Sequence, residues 1–532
     1  MNNAVTQKSI VLRVAIWILL ACAALAPVWL VYECYHYVQS NPDRGWDSRV
    51  LRIIALLILN IAFTAVVASI GLLFLWVRMA GSLPDLQGWH LQKPDSEFTA
   101  SDAHDEFTFD DYLEQEGRVF DELDALIDGP WVNNSPGAFS RYHADSVCNP
   151  ETIVDRNWNR SHILAATDPI GGVLLVHGLS DSPYSLRHLS DQFYSQGYSI
   201  LSLRLPGHGA APSGLIDIRY EDWAAAVRIG MRHLDELVDD DQPMSIVGYS
   251  TGAALAVEYA ASRLLGEDIP EVDRLILFSP AIGVSPLAAF AVWQGRLASV
   301  PGMDKLAWTD ILPEYDPYKF NSFTVNAGDQ VYRLTQAIAT QLEQLSTEGG
   351  VRGMPPILAF QSVADATVST HAVLDALFLH LAPEGHELVA FDINRHADVV
   401  PLLSHSITEV RPRLLDAPPM PVDFTLIVNA HPETDEVIAL RRPAESTSTQ
   451  SLALNLSWPS YVYSLSHVAL PFSSDDPIYG AQPQPGSDLI FLGAVDLRGE
   501  RGLLSVSPAM FARIRHNPFM PYVEQRITEF VN

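Results

Sequence analysis

The apolar positions of this chain change pattern twice. Near the N-terminus they form two long uncharged runs, Val14 to Tyr32 (19 residues) and Ile53 to Val77 (25 residues). A helix rises ~1.5 Å per residue, so about 20 apolar residues cross a ~30 Å hydrocarbon core, and both runs predict membrane spans. From Asp95 to Asp128 the chain turns polar, with 13 acids and one base, Arg118. Leu113, Phe120, Leu123 and Ile127 recur there near helical spacing and predict an amphipathic helix. Beyond residue 160, short runs rich in Val, Ile and Leu alternate with helical stretches. Gly172–Val176, Ser199–Leu203, Met244–Val247, Leu275–Phe278, Ile357–Phe360 and Glu387–Ile393 read as strands buried on both faces. The class this implies is α/β with a mainly parallel sheet.

The boundaries follow from these changes: a two-span anchor over residues 1–80, an acidic solvated connector over 81–160, and an α/β domain over 161–532. An acidic docking surface is the alternative for the connector. Trp29, Tyr32, Tyr35, Tyr37 and Trp46 flank the spans, where amphipathic rings suit the headgroup layer. Lys8, Arg13, Arg78 and Lys93 lie on the side of the main domain, against Arg44, Arg49 and Arg52 in the hairpin. Four against three favours a cytoplasmic domain on a multi-pass protein of a bacterial inner membrane. The rival is an export signal, since Leu19-Leu20-Ala21-Cys22 faintly resembles a lipobox.

Charge and cysteine content remove several classes. Acids outnumber bases 63 to 33, a net −30, which argues against nucleic-acid binding. Three cysteines make neither a disulfide framework nor a cysteine-rich metal site. Cys34 and Cys148 could pair only outside the cytoplasm. No metal or cofactor is expected, and oligomeric state is open.

The sharpest chemical signal is Gly248-Tyr249-Ser250-Thr251-Gly252, which follows the strand ending at Val247 and precedes an Ala-rich helical run to Leu265. Strand, tight turn and helix are the context in which G-x-S-x-G marks a nucleophile elbow. Small residues let strand and helix approach, and the helix N-terminus favours negative charge. A second strand runs into His177-Gly178-Leu179. The backbone N–H groups of Leu179 and Thr251 are the expected oxyanion donors, and His177 reads as a buttress for this loop rather than as the base.

The segments H-G-L-S-D-S-P-Y-S (His177 to Ser185), R-L-P-G-H-G (Arg204 to Gly209) and G-Y-S-T-G resemble α/β-hydrolases of the monoacylglycerol-lipase and serine-aminopeptidase-like group. The likeness covers roughly residues 165 to 480 and does not include the spans. It implies an α/β-hydrolase fold with a helical cap, a Ser-Asp-His triad, no metal, and hydrolysis of esters or, less often, of peptide bonds. Asp365, in A-D-A-T-V after the strand Ile357–Phe360, matches the family's D-x-x-V acid; the other reading is a cap for the helix from Ser369.

Two histidines compete for the base. His396 follows Asp365 at ordinary family spacing but sits in N-R-H-A-D. His467 lies in S-L-S-H-V-A-L, which resembles the family's histidine loop, and needs residues 395–455 to be an insertion carrying extra strands such as Phe424–Val428. Loops tolerate long insertions at modest entropic cost, so His467 is preferred and His396 is the alternative.

The cap is expected over residues 284–350, with Leu287–Val300 as a lid or a packed helix, and Trp308, Tyr315, Tyr318 and Phe320 as wall material. Together these features imply a membrane-anchored serine hydrolase acting on lipid-like carboxylic esters, with lipid bilayer and ester as its partners. An aminopeptidase or amidase, with Glu314 and Asp316 holding a substrate amine, is the second reading. A non-catalytic membrane scaffold is the third.

Overall fold

The computed structural model describes residues 46–131, 139–153, 156–283, 303–396, 418–486, 489–493 and 511–532, with isolated residues among 29–40 and at 415 and 507. Two units result, one of residues 1–84 with 300–306 and one of residues 85–299 with 307–532. In the first, helix α1 (Trp46–Ser82) runs 37 residues. Within it Val50–Ser69 is, among the described residues, the helix long and apolar enough to cross a membrane. Leu51, Ile58, Leu59 and Ile61 stand exposed on it. The other expected span, Val14–Tyr32, lies outside the described residues apart from Trp29, Val31 and Tyr32, and so does Cys34.

The second unit is built on ten strands: β1 (His162–Leu164), β2 (Gly172–Val176), β3 (Ser199–Leu203), β4 (Met244–Tyr249), β5 (Arg274–Phe278), β6 (Ile357–Ser362), β7 (Glu387–Phe391), β8 (Asp423–Asn429), β9 (Glu436–Arg442) and β10 (Gln450–Ser457). Their order is β1-β3-β2-β4-β5-β6-β7-β8-β9-β10. From β3 to β8 the neighbours are parallel, while β1 at one end and β9 and β10 at the other are antiparallel. The central strands β2, β3, β4, β6 and β7 are buried at every position because helices cover both faces.

One face packs on α4 (Tyr220–Glu236), α5 (Thr251–Leu264) and α6 (Val325–Leu345). The other packs on α3 (Arg187–Ser195) and on α8 (Met520–Val531), the last helix. Between α5 and α8 the short helix α7 (Thr370–Ala376) follows β6.

The acidic stretch corrects an expectation. Its helix, α2 (Phe109–Asp128), starts at a capping box in which Thr108 and Asp111 satisfy each other's backbone N–H. It is no solvated connector: Phe98, Phe109 and Tyr112 are buried in the main core. The Arg204 guanidinium, 1% exposed, is held by both Glu97 oxygens at 3.1 and 2.5 Å, and Tyr112 Oη donates to the Arg204 carbonyl at 2.6 Å. Most of the acids face water, whereas the buried Glu116 accepts from Ser161 N and Oγ at 2.9 and 2.7 Å, and the apolar stripe and Glu97 clamp the R-L-P-G-H-G loop.

The region expected as a cap is described only from residue 303, so Leu287–Val300 falls outside the described residues. The remainder holds a two-stranded ribbon (Trp308–Asp310 with Phe323–Thr324) and α6. Trp308, Tyr315, Tyr318 and Phe320 are buried rather than lining an open wall; Tyr318 stacks on Tyr184 with centroids 4.1 Å apart.

Candidate active site

Ser250 sits where β4 ends and α5 begins, with φ 54° and ψ −110°, a backbone region that costs a non-glycine residue energy. The neighbouring glycines explain how the turn closes. A Cβ on Gly252 would lie 2.0 Å from the Val176 carbonyl oxygen, and one on Gly248 would lie 2.5 Å from Ala253. Ser250 N donates to Phe278 O at 2.8 Å, which pins the strained residue to the end of β5.

Ser250 Oγ is 3.0 Å from His467 Nε2, and His467 Nδ1 is 2.7 Å from Asp365 Oδ2. All three residues are at most 9% exposed. A carboxylate can only accept, so Nδ1 carries the proton and Nε2 is left to accept from the serine hydroxyl. The other oxygen of Asp365 accepts the N–H groups of Thr367 and Val368 at 2.7 and 3.0 Å, and Gln361 Nε2 donates to Oδ2 at 3.1 Å. This is the physical content of D-x-x-V: the backbone folds back onto the acid. Burial raises the Asp365 pKa, but the His467 imidazole and these donors outweigh it and hold the carboxyl below its usual value.

His396 is not brought to this place. It is exposed, and its ring Nδ1 lies 3.3 Å from the Pro432 carbonyl. The chain reaches His467 by a long route. After β7 it forms β8, then the antiparallel β9 and β10 at the sheet edge, and returns across the carboxyl ends of the parallel strands. Asn394, just past β7, donates to Tyr463 O at 2.8 Å and to Val462 O at 2.9 Å. Ser362, at the end of β6, donates to Leu465 O at 2.8 Å. Tyr461–Tyr463 belongs to this returning segment and forms no strand.

Among the described residues, the amide hydrogens of Leu179 and Thr251 are in no backbone hydrogen bond, and Thr251 opens the 14-residue α5. Both lie next to Ser250: Thr251 follows it, and a Cβ on Gly178 would be 3.1 Å from Ser250 Cβ. His177 is fully buried. Its Nε2 accepts from Leu205 N at 3.0 Å, so its Nδ1 donates to Gly178 O at 2.8 Å. Burial first, and His208 beside it, push its pKa well below the ordinary value. It stays neutral and braces the loop carrying Leu179.

Glu314 and Asp316 are not free to receive an amine. Glu314 accepts the N–H groups of Asn321 and Ser322 at 2.9 and 2.8 Å. Asp316 is paired with Arg515 at 2.7 Å and accepts the Tyr479 hydroxyl. Lys319, Arg513 and Arg515 were not singled out from the sequence; they line a cleft with Asp181 and Val468. An isolated base in a polar loop carries no periodicity or motif that would mark it. Cys148 is a free, buried thiol whose pKa burial raises to about 11. Among the described residues no group of His, Cys, Asp and Glu is arranged to hold a metal ion.

A hydroxyl bonded to an imidazole that a buried carboxylate orients can lose its proton to that ring as it attacks an electrophile. Comparison with known proteins bears on the part of the chain that holds Ser250 and Asp365. Residues 167–398 match the family described as Hydrolase_4, serine aminopeptidase, S33. A thermostable monoacylglycerol lipase of Bacillus sp. (strain H-257) is 29% identical over 133 residues, 25% of this chain and 49% of its own. A monoacylglycerol lipase of Mycolicibacterium smegmatis is 31% identical over 147 residues, 26% and 48% of the two chains. Phospholipase YtpA of Bacillus subtilis is 25% identical over 120 residues, 22% and 44%. The chain spans about half the length of the curated relatives it matches, and the family match stops short of His467. Residues 167–398 thus match the serine aminopeptidase S33 family model, an α/β-hydrolase, and parts of the chain are similar to monoacylglycerol lipases.

Proposed function

We propose that this chain is a membrane-anchored serine hydrolase that cleaves carboxylic esters of lipid-like acyl chains. The observation that carries the reading is the hydrogen-bonded series Ser250–His467–Asp365, at 3.0 and 2.7 Å. In the reaction His467 Nε2 takes the proton of Ser250 as Oγ attacks the ester carbonyl. The amides of Leu179 and Thr251 receive the oxyanion; losing one such donor typically costs about 3 kcal/mol in the transition state. His467 then passes its proton to the departing alcohol, and afterwards activates the water that releases the acyl group from Ser250. Asp365 holds the ring in the tautomer this requires and stabilises the imidazolium.

The lipid-like substrate is supported by the names of the relatives and by the long exposed apolar helix at Val50–Ser69. A second span at residues 14–32 and a cytoplasmic catalytic domain complete the proposed topology.

The description of the family as aminopeptidases favours a second reading, cleavage of amides. The engagement of Glu314 and Asp316 within the protein weighs against it. The test is fluorophosphonate labelling of the purified protein with mass mapping, beside rates on p-nitrophenyl esters and aminoacyl anilides. Labelling at Ser250 with faster ester cleavage is the expected result. Faster anilide cleavage would favour the peptidase, and inertness of the folded protein would favour a non-catalytic scaffold.

A further inference from the structure

A small open cleft adjoins the candidate site. Two of its walls belong to the site's own loops: Val468 follows His467, and Asp181 lies two residues past Leu179. Phe472 and Tyr479 supply apolar surface, and Lys319, Arg513 and Arg515 supply three positive charges.

Two of the cations have acids. Lys319 Nζ is 2.8 Å from Asp181 Oδ2, and Arg515 Nη1 is 2.7 Å from Asp316 Oδ2. Arg513 is exposed and has no ion-pair partner among the described residues. After both acids are set against their partners, a positive charge remains, on a chain whose net charge is −30. Such a chain repels anions at long range, so a surplus base beside the reacting groups acts on what is already seated there. Guanidinium groups present a planar fork that matches phosphate and carboxylate oxygens.

The position also selects the arm of the substrate. In the proposed reaction His467 hands its proton to the departing alcohol, so that arm must lie on the His467 side, where Val468 borders the cleft. Resting on the ester-hydrolase reading above, we infer that the preferred substrates are acyl esters whose alcohol portion bears an anionic phosphate or carboxylate group, received by Arg513 with Arg515 and Lys319 behind it.

The test uses the full-length protein in detergent and three substrates of one acyl chain: a monoacylglycerol, the corresponding 1-acyl-glycerol 3-phosphate, and an ester whose alcohol ends in a carboxylate. The quantity read is the ratio of kcat/KM for each anionic ester to that for the neutral one, so that differences in the amount of active protein cancel. A single charge-assisted contact is worth roughly a tenfold effect or more. The ratio should exceed about 10 for at least one anionic ester. It should fall about tenfold in Arg513→Ala, fall further in Arg513→Glu, return in Arg513→Lys and decline with added salt. A wild-type ratio of one or below for both anionic esters, or ratios unchanged in Arg513→Ala, would overturn the inference while leaving the hydrolase reading intact. Cleavage of none of the three by a protein also inert to fluorophosphonate would remove both.

Discussion

His467 Nδ1 lies 2.7 Å from Asp365 Oδ2 although 102 residues separate them. The separation is taken up by β8, β9 and β10 and by a returning segment tied to Asn394 and Ser362. The histidine loop is therefore anchored to the ends of β6 and β7, the strands that flank the acid, and not to the strand immediately before it in sequence. A sheet can be extended at its edge without disturbing the site, provided the chain comes back over the carboxyl ends of the same parallel strands.

This placement separates the two candidate bases by experiment. Ser250→Ala and His467→Ala should each lower ester hydrolysis by about 10⁴-fold or more and abolish fluorophosphonate labelling, since the members of such a unit fail together. His396→Ala should stay within a few-fold of wild type, because its ring is exposed and its contact among the described residues is the Pro432 carbonyl. Initial rates on a p-nitrophenyl ester decide it. A crippled His396→Ala beside an active His467→Ala would reverse the assignment.

Asp365→Asn tests the tautomer. The amides of Thr367 and Val368 point at Oδ1 and would keep the asparagine oxygen there. The new NH2 group then faces His467 Nδ1 and forces that nitrogen to accept. Nε2 becomes a donor and no longer takes the serine proton. The expected loss in kcat is about 10⁴-fold, with KM little changed, because the substrate does not touch the acid. A variant retaining a tenth of wild-type kcat would show that Asp365 does not hold the ring.

Much of this is legible in the sequence. The parallel strands announce themselves because burial on both faces leaves continuous apolar runs, and the G-x-S-x-G turn because its glycines avoid backbone at 2.0 and 2.5 Å. Local chemistry around His467 pointed to the ring that lies within hydrogen-bond distance of Ser250 and Asp365, where spacing pointed to His396. The acidic stretch misled for a physical reason: composition counts Asp and Glu as solvated, yet Glu97 is spent on a buried Arg204, and Phe98 and Tyr112 do the packing. The cleft cations were invisible because proximity across Lys319, Arg513 and Arg515 is a property of the fold alone.

The paired histidines at His177 and His208 should make the fold sensitive to acid. Both are buried, in edge-to-face contact with centroids 4.9 Å apart, and burial is the main reason their pKa values fall, His208 to about 3. Above about pH 6.5 each ring is neutral whether the chain is folded or not, and stability is indifferent to pH on their account. Below that, the unfolded chain takes up protons that the folded one refuses, so stability falls as pH falls towards 3, by about 1.4 kcal/mol per histidine per pH unit. His208→Phe removes one of these sites and should flatten the acid limb of the denaturation midpoint plotted against pH. Parallel curves for wild type and variant would contradict the assignment.

Glu97→Ala probes whether the acidic segment is part of the hydrolase fold. The Arg204 side chain is 1% exposed, and its forked contact with Glu97 is supplemented by Arg204 Nε donating to His208 O at 2.7 Å. Truncating the acid removes the carboxylate hydrogen-bonded to a buried guanidinium and leaves Glu116 as its nearby acid, and breaking such a pair typically costs about 3 kcal/mol. The same loop supplies Leu205 N to His177, which braces the backbone of Leu179, so the loss should reach the candidate oxyanion donors as well. Chemical denaturation should show the drop in stability, and kcat should decline while Ser250 is still labelled by fluorophosphonate at a reduced rate. Arg204→Met with Glu97→Leu, which removes both charges and keeps volume, should recover most of the stability. A Glu97→Ala protein as stable as wild type would mean that residues 95–128 ride on the domain without holding it together.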